Sequence, residues 1–148
     1  MESGLIIGYF LQYGIRALAL VLGAIYIKSL LGKVKDIYGF YVVLKDYRLL
    51  PKFLLPLVTV LVPSAELTVA VCLLLGGKNV ILAAWGGALL QFCFATVMLI
   101  RLNTVQPHGC GCFGLHSAEK ITPRHLFMNV SLFALFALVG FFPDSSLI

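Results

Sequence analysis

The sequence predicts an all-α membrane protein, a bundle of four transmembrane helices with an interfacial amphipathic helix between the first two. Three observations carry that reading. Of 148 residues, 61% are hydrophobic and only 11% charged, against about 25% charged in an ordinary soluble domain. A chain this short has no interior large enough for so much apolar surface, so the surplus faces lipid. Four stretches reach the roughly 20 mostly apolar residues that a spanning helix needs. The basic residues behind the formal charge of +5 lie between those stretches. That is the pattern of membrane-flanking loops, not of a nucleic-acid-binding patch with interleaved aromatics.

Taken in order, the first span covers about residues 5–27 and contains Arg16. Met1-Glu2-Ser3-Gly4 ahead of it lacks a basic region, so the run reads as a retained span and not a signal peptide. The segment 28–52 is rich in Lys, Arg and Tyr. Within it Ile37, Phe40, Tyr41 and Leu44 follow i, i+3, i+4, i+7 spacing over a length too short to span, as expected of an interfacial helix. The second span, about 53–75, contains Pro56, Pro63 and Glu66, and either proline can bend it. A tight turn at Gly76-Gly77-Lys78-Asn79 makes the third span, about 80–100, its antiparallel neighbour. Ala83, Ala84, Gly86, Gly87 and Ala88 there allow close helix approach. The fourth span, about 126–142, follows Pro123-Arg124-His125. All 148 residues read as one integral-membrane domain, without repeats.

With four spans, the loops 28–52 and 101–125 emerge on one side. They carry nine Lys and Arg residues, against Lys78 alone on the other side, a count that favours the cytoplasm for both loops.

Two sets of residues carry chemistry. Arg16 and Glu66 each lie roughly 18–20 Å from the loop-side surface by residue count. Opposite charges at one depth offset the penalty of burying either, so an Arg16–Glu66 pair is expected. It serves as a register-fixing brace, as a polar seat for a quinone-like or peptide ligand, or as a proton relay. The second set is His108-Gly109-Cys110-Gly111-Cys112-Phe113-Gly114-Leu115-His116. Two thiols one residue apart among glycines have the backbone freedom to close a small, readily exchanged disulfide ring. Nearby positive potential lowers a thiol pKa. The alternative is metal binding by His108, Cys110, Cys112 and His116, two nitrogen and two sulfur donors suited to zinc or copper(I). Cys72 and Cys93 read as small buried apolar residues, Cys93 being the one on the side of the loop pair. Gln91 and Asn129 read as interhelical hydrogen-bonders.

Lys45-Asp46-Tyr47-Arg48-Leu49-Leu50-Pro51, Pro63 with Glu66, and Cys110-Gly111-Cys112-Phe113-Gly114 together resemble the MauE family, methylamine-utilisation membrane proteins grouped with DoxX-like proteins. The resemblance spans about residues 28–129. It implies a four-helix membrane protein linked to disulfide formation in an exported client, alongside a thioredoxin-like partner. The layout is also similar to the quinone-coupled disulfide-generating families, DsbB and vitamin K epoxide reductase. Those use two cysteine pairs, whereas this chain has one loop pair. An exported client wants the Cys loop outside, against the charge count. The leading expectation is a membrane thiol–disulfide redox protein with Cys110 and Cys112 as the exchanging pair. The alternatives are a non-catalytic accessory subunit and a metal-handling membrane protein.

Overall fold

The computed structural model describes residues 2–112 and 117–142. It contains five helices, α1 (Glu2–Lys35), α2 (Ile37–Tyr47), α3 (Leu55–Leu75), α4 (Asn79–Ile100) and α5 (Pro123–Phe141). A two-residue antiparallel ladder, β1 (Val105–Gln106) with β2 (Glu119–Lys120), lies between α4 and α5. Four helices are long and apolar enough to cross a membrane: Ser3–Lys35, Leu55–Leu75, Asn79–Ile100 and Pro123–Phe141. The expected all-α, multi-pass architecture is therefore what the chain adopts, apart from the small ladder.

The largest departure from expectation is the length of α1. Nothing in Lys28-Ser29-Leu30-Leu31-Gly32-Lys33-Val34-Lys35 breaks a helix, so the first span continues past Ile27 to 34 residues, about 51 Å. It ends where Asp36 takes over as the N-cap of α2, its carboxylate accepting the Gly39 N–H at 2.8 Å. Helix α2 ends at Arg48, which is in the left-handed region with φ of 50°, and Pro51 follows. Its buried face is Gly39, Phe40, Val43 and Tyr47, not the expected Ile37–Phe40–Tyr41–Leu44 stripe. Ile37 is exposed. The helix is turned by what it covers, because Val43 and Tyr47 pack on the Cys110–Cys112 segment.

Pro56 sits in the first turn of α3, where its missing N–H has no helical partner to lose. Pro63 alone lies inside that helix. Helices α3 and α4 are joined by Gly76 and Gly77, both at positive φ. Thr122 and Pro123 start α5 three residues earlier than expected.

In the bundle α1 packs on α3, α3 on α4 and α4 on α5, and α1 meets α5 to close the ring. The core lies between Ile15, Ala19, Leu22 and Tyr26 of α1, Ala70 and Leu73 of α3, Ala84 and Ala88 of α4, and Phe136 and Val139 of α5. Gly87 sets the closest approach: a Cβ there would stand 2.3 Å from the Phe136 ring. The Tyr26 ring meets Phe136 edge-on, and its hydroxyl donates to the Gly87 carbonyl at 3.1 Å.

Candidate functional site: a thiol pair over a buried ion pair

The α4–α5 connection folds over the loop end of the bundle. Asn103, at φ of 64°, turns the chain away from α4. Its N–H donates to the Ile121 carbonyl at 2.9 Å, and Ile121 returns a bond to Thr104 at 2.9 Å. The Arg101 guanidinium donates to the Tyr47 carbonyl and so ties α2 to the end of α4. Between these anchors Cys110 and Cys112 are both free thiols. Gly111 between them has φ of +77°, and a Cβ there would lie 2.6 Å from Val43 Cγ1. Conformation and the proximity of α2 therefore both require glycine at this position.

Each cysteine is held by its carbonyl. The Tyr47 hydroxyl donates to the Cys110 oxygen at 2.8 Å. The Cys112 oxygen accepts from the Ser29 hydroxyl at 2.6 Å and from Lys33 Nζ at 3.0 Å. Lys33 also donates to Ser29 Oγ at 2.7 Å and to Glu66 Oε1 at 2.8 Å, so its three N–H bonds have three acceptors. Lys33 and Glu66 are 0% and 1% exposed, and the rings of Phe40 and Phe94 each lie 5.5 Å from Nζ.

This network corrects the expected Arg16–Glu66 pair. Arg16 instead donates to the Leu73 and Leu74 carbonyls at 2.9 and 2.8 Å, at the opposite end of the bundle. The reason is the length of α1: with eight further residues of helix, Lys33 reaches the Glu66 carboxylate. Arg16 is left beside the open carbonyls that end α3. A ligand seat built jointly from Arg16 and Glu66 is not what the chain forms.

The two thiols are electrostatically unequal. The Cys112 thiol donates to Cys110, and with the Cys112 backbone N–H and the potential of His125 it holds Cys110 down at about 6, against burial and Glu119. Cys112 is pushed well above the ordinary thiol range, because it shares its proton with Cys110, is enclosed, and faces the Cys110 negative charge. The stable form is a thiolate on Cys110 and a proton on Cys112.

His108 Nδ1 lies 2.7 Å from Asp46 Oδ2. His116 lies outside the described residues, so the metal set of His108, Cys110, Cys112 and His116 is not assembled among them. A different trio converges, Cys110, Glu119 and His125, with ligand atoms within 4.8 Å of one another. Here the Thr122 N–H donates to His125 Nδ1 at 3.2 Å. Its Nε2 faces Glu119 Oε1 at 3.0 Å.

Among the described residues, cavities border the pair on several sides. An apolar one of about 200 Å³ lies under the loop and touches Cys93, Cys110, Gly111 and Cys112, with Phe40, Leu50, Phe94 and Met98 on its walls. An open groove of about 610 Å³ exposes Cys110 beside Glu119, Arg124 and His125. A small pocket of about 20 Å³ joins Cys112 to Ser29, Glu66, Gln91 and Asn129, with apolar walls from Ile25, Phe94 and Leu132.

Sequence reasoning singled out Cys110, Cys112 and Glu66 but missed Ser29, Lys33, Tyr47, Glu119 and His125 as their neighbours. A usable signal existed for two of these. Ile15, Ala19, Leu22, Tyr26, Ser29 and Lys33 follow helical spacing and so continue the buried stripe of α1 beyond Ile27. No curated protein and no solved structure matches the chain. Residues 11–143 match the family model described as methylamine utilisation protein MauE, and the chain accordingly belongs to that membrane protein family.

Proposed function

We propose that this protein is a membrane accessory protein of a methylamine-utilisation type system that performs thiol–disulfide exchange through Cys110 and Cys112. The observation that carries the reading is the unequal pair: a Cys110 thiolate bordering an open groove beside Glu119, Arg124 and His125, next to a Cys112 thiol that retains its proton. Cys110 attacks a partner disulfide, breaking its S–S bond and forming a mixed disulfide as one partner thiolate leaves. Cys112 then gives up its proton and attacks Cys110 Sγ, which expels the second partner thiolate. The dithiol is oxidised by two electrons and the partner disulfide is reduced. The reverse sequence donates a disulfide to an exported client. With one loop pair in the chain, the other half of the exchange belongs to another molecule, of which a thioredoxin-like protein is the expected kind.

The test is alkylation of the reduced protein in detergent as a function of pH. Cys110 should react half-maximally near pH 6, since only its thiolate is nucleophilic. His125→Ala should move the midpoint upward by removing positive potential. Redox titration should give one reversible two-electron couple, lost in Cys110→Ser and Cys112→Ser. A pair that resists reduction would instead support the structural-staple role of a non-catalytic subunit. The apolar cavity beneath the pair favours a second reading, in which a quinone ring takes the electrons. Oxidation of the reduced protein by a short-chain quinone, blocked by a bulky residue at Val97, is the corresponding test.

A further inference from the structure

Glu66 has a feature that its ion pair does not use. Oε1 takes the Lys33 bond, while Oε2 is fully buried without a hydrogen-bond partner among the described residues. Gln91 Oε1, on α4, is in the same condition. An unsatisfied buried oxygen of this kind typically costs about 1–3 kcal/mol, more when charged, so two on one site call for an explanation. Both residues line the pocket of about 20 Å³ that also touches Cys112 and Asn129, its remaining walls being largely apolar. A single water needs about 10–15 Å³ and two to four polar partners. The pocket has that size, and the two orphaned oxygens are acceptors for such a water.

From this juxtaposition we infer that Glu66 is the proton acceptor for Cys112, reached through one water held between Glu66, Gln91 and the thiol. The inference rests on the exchange reading above. When the mixed disulfide forms on Cys110, the Cys112 thiol must lose its proton before it can attack. The proton moves from Cys112 Sγ to the water, and a proton of the water moves to Glu66 Oε2. The resulting thiolate forms the S–S bond and the second partner thiolate departs. Lys33 holds both the Cys112 carbonyl and Glu66 Oε1, which fixes the geometry of the transfer. The titratable groups around Glu66 are Lys33 and Tyr26 from α1 and Cys112 from the loop. Ser29 of α1, Gln91 of α4 and Asn129 of α5 complete the polar surroundings. Of these, Glu66 is the carboxylate, with a buried oxygen that has no other hydrogen-bond partner among the described residues.

The experiment mixes the reduced full-length protein, in lipid nanodiscs, with an excess of the aromatic disulfide 5,5′-dithiobis(2-nitrobenzoate) and follows aryl thiolate release by absorbance. The first equivalent reports attack by Cys110, and the second reports resolution by Cys112. Glu66→Gln should leave the first phase within about twofold and slow the second about 100-fold, in line with loss of a general base. The residual second phase should rise about tenfold per pH unit, because hydroxide must then take the proton. Gln91→Leu removes one water partner without orphaning a charge and should slow the second phase about tenfold. If Glu66→Gln does not fold, Gln91→Leu decides alone. An unchanged second phase in a folded variant, or equal slowing of both phases, overturns the proton path. Absence of any second equivalent from the wild type overturns the exchange reading itself.

Discussion

At the turn end of α1, Arg16 donates to the Leu73 and Leu74 carbonyls; at the loop end, Lys33 donates to the Cys112 carbonyl, Ser29 and Glu66. In both places a cation on the same helix supplies hydrogen bonds to backbone oxygens that no helix satisfies. The difference lies in what accompanies it. Arg16 has carbonyls only, which are fixed dipoles with no proton to exchange. Lys33 has a carboxylate, a hydroxyl and, one peptide away, a pair of thiols. The comparison teaches that a buried cation is not itself a functional mark. Function is indicated by the proton-labile groups gathered around it, and those sit at one end.

The largest expected effect breaks the loop end. Lys33→Met leaves the Glu66 carboxylate buried without its partner and should destabilise the protein by about 3–5 kcal/mol. Reversible unfolding in mixed micelles measures this, and the Lys33→Met/Glu66→Gln double variant should recover most of the loss. Arg16→Met is the matched change at the turn end. It removes two charge-assisted bonds from a partly exposed group and should cost about 1.5–3 kcal/mol, while both exchange phases keep their wild-type rates. Equal kinetic defects from Arg16→Met and Lys33→Met would erase the proposed division between the ends. The smallest effect is that of Tyr47→Phe, which removes the bond to the Cys110 carbonyl and should cost about 0.5–1.5 kcal/mol. It sharpens the comparison by showing how much of the loop's hold comes from α2 and how much from α1.

The four spans and the reactive segment were legible in the sequence because both rest on local information: apolar run length, and two cysteines among glycines. The ion pair was not, because it depends on where α1 stops. Counting inward from a boundary at Ile27 puts Arg16 level with Glu66; counting from Lys35 replaces it with Lys33. A helix end eight residues further along is a small change in an element and a complete change of partner. Glu119 and His125 were missed for a related reason. Glu119 comes to Cys110 on a two-residue ladder whose pairs, Val105↔Lys120 and Gln106↔Glu119, are too short to show any alternation, and His125 comes to it from the first turn of α5. The phase of α2 was misjudged because an interfacial stripe was expected to face lipid or bundle. The chain instead lays Val43 against Gly111.

Gly87 has a consequence for the thiols that distance alone would hide. The hydrogen at this position, in the middle of the bundle, sets how far α5 stands from α4, since a methyl group there would meet the Phe136 ring at 2.3 Å. The same helix carries Asn129 and His125 seven and eleven residues earlier, the latter about 16 Å along a rigid rod. A gain of one carbon at Gly87 would therefore act as a lever, swinging the groups that flank Cys110 and Cys112 without touching either.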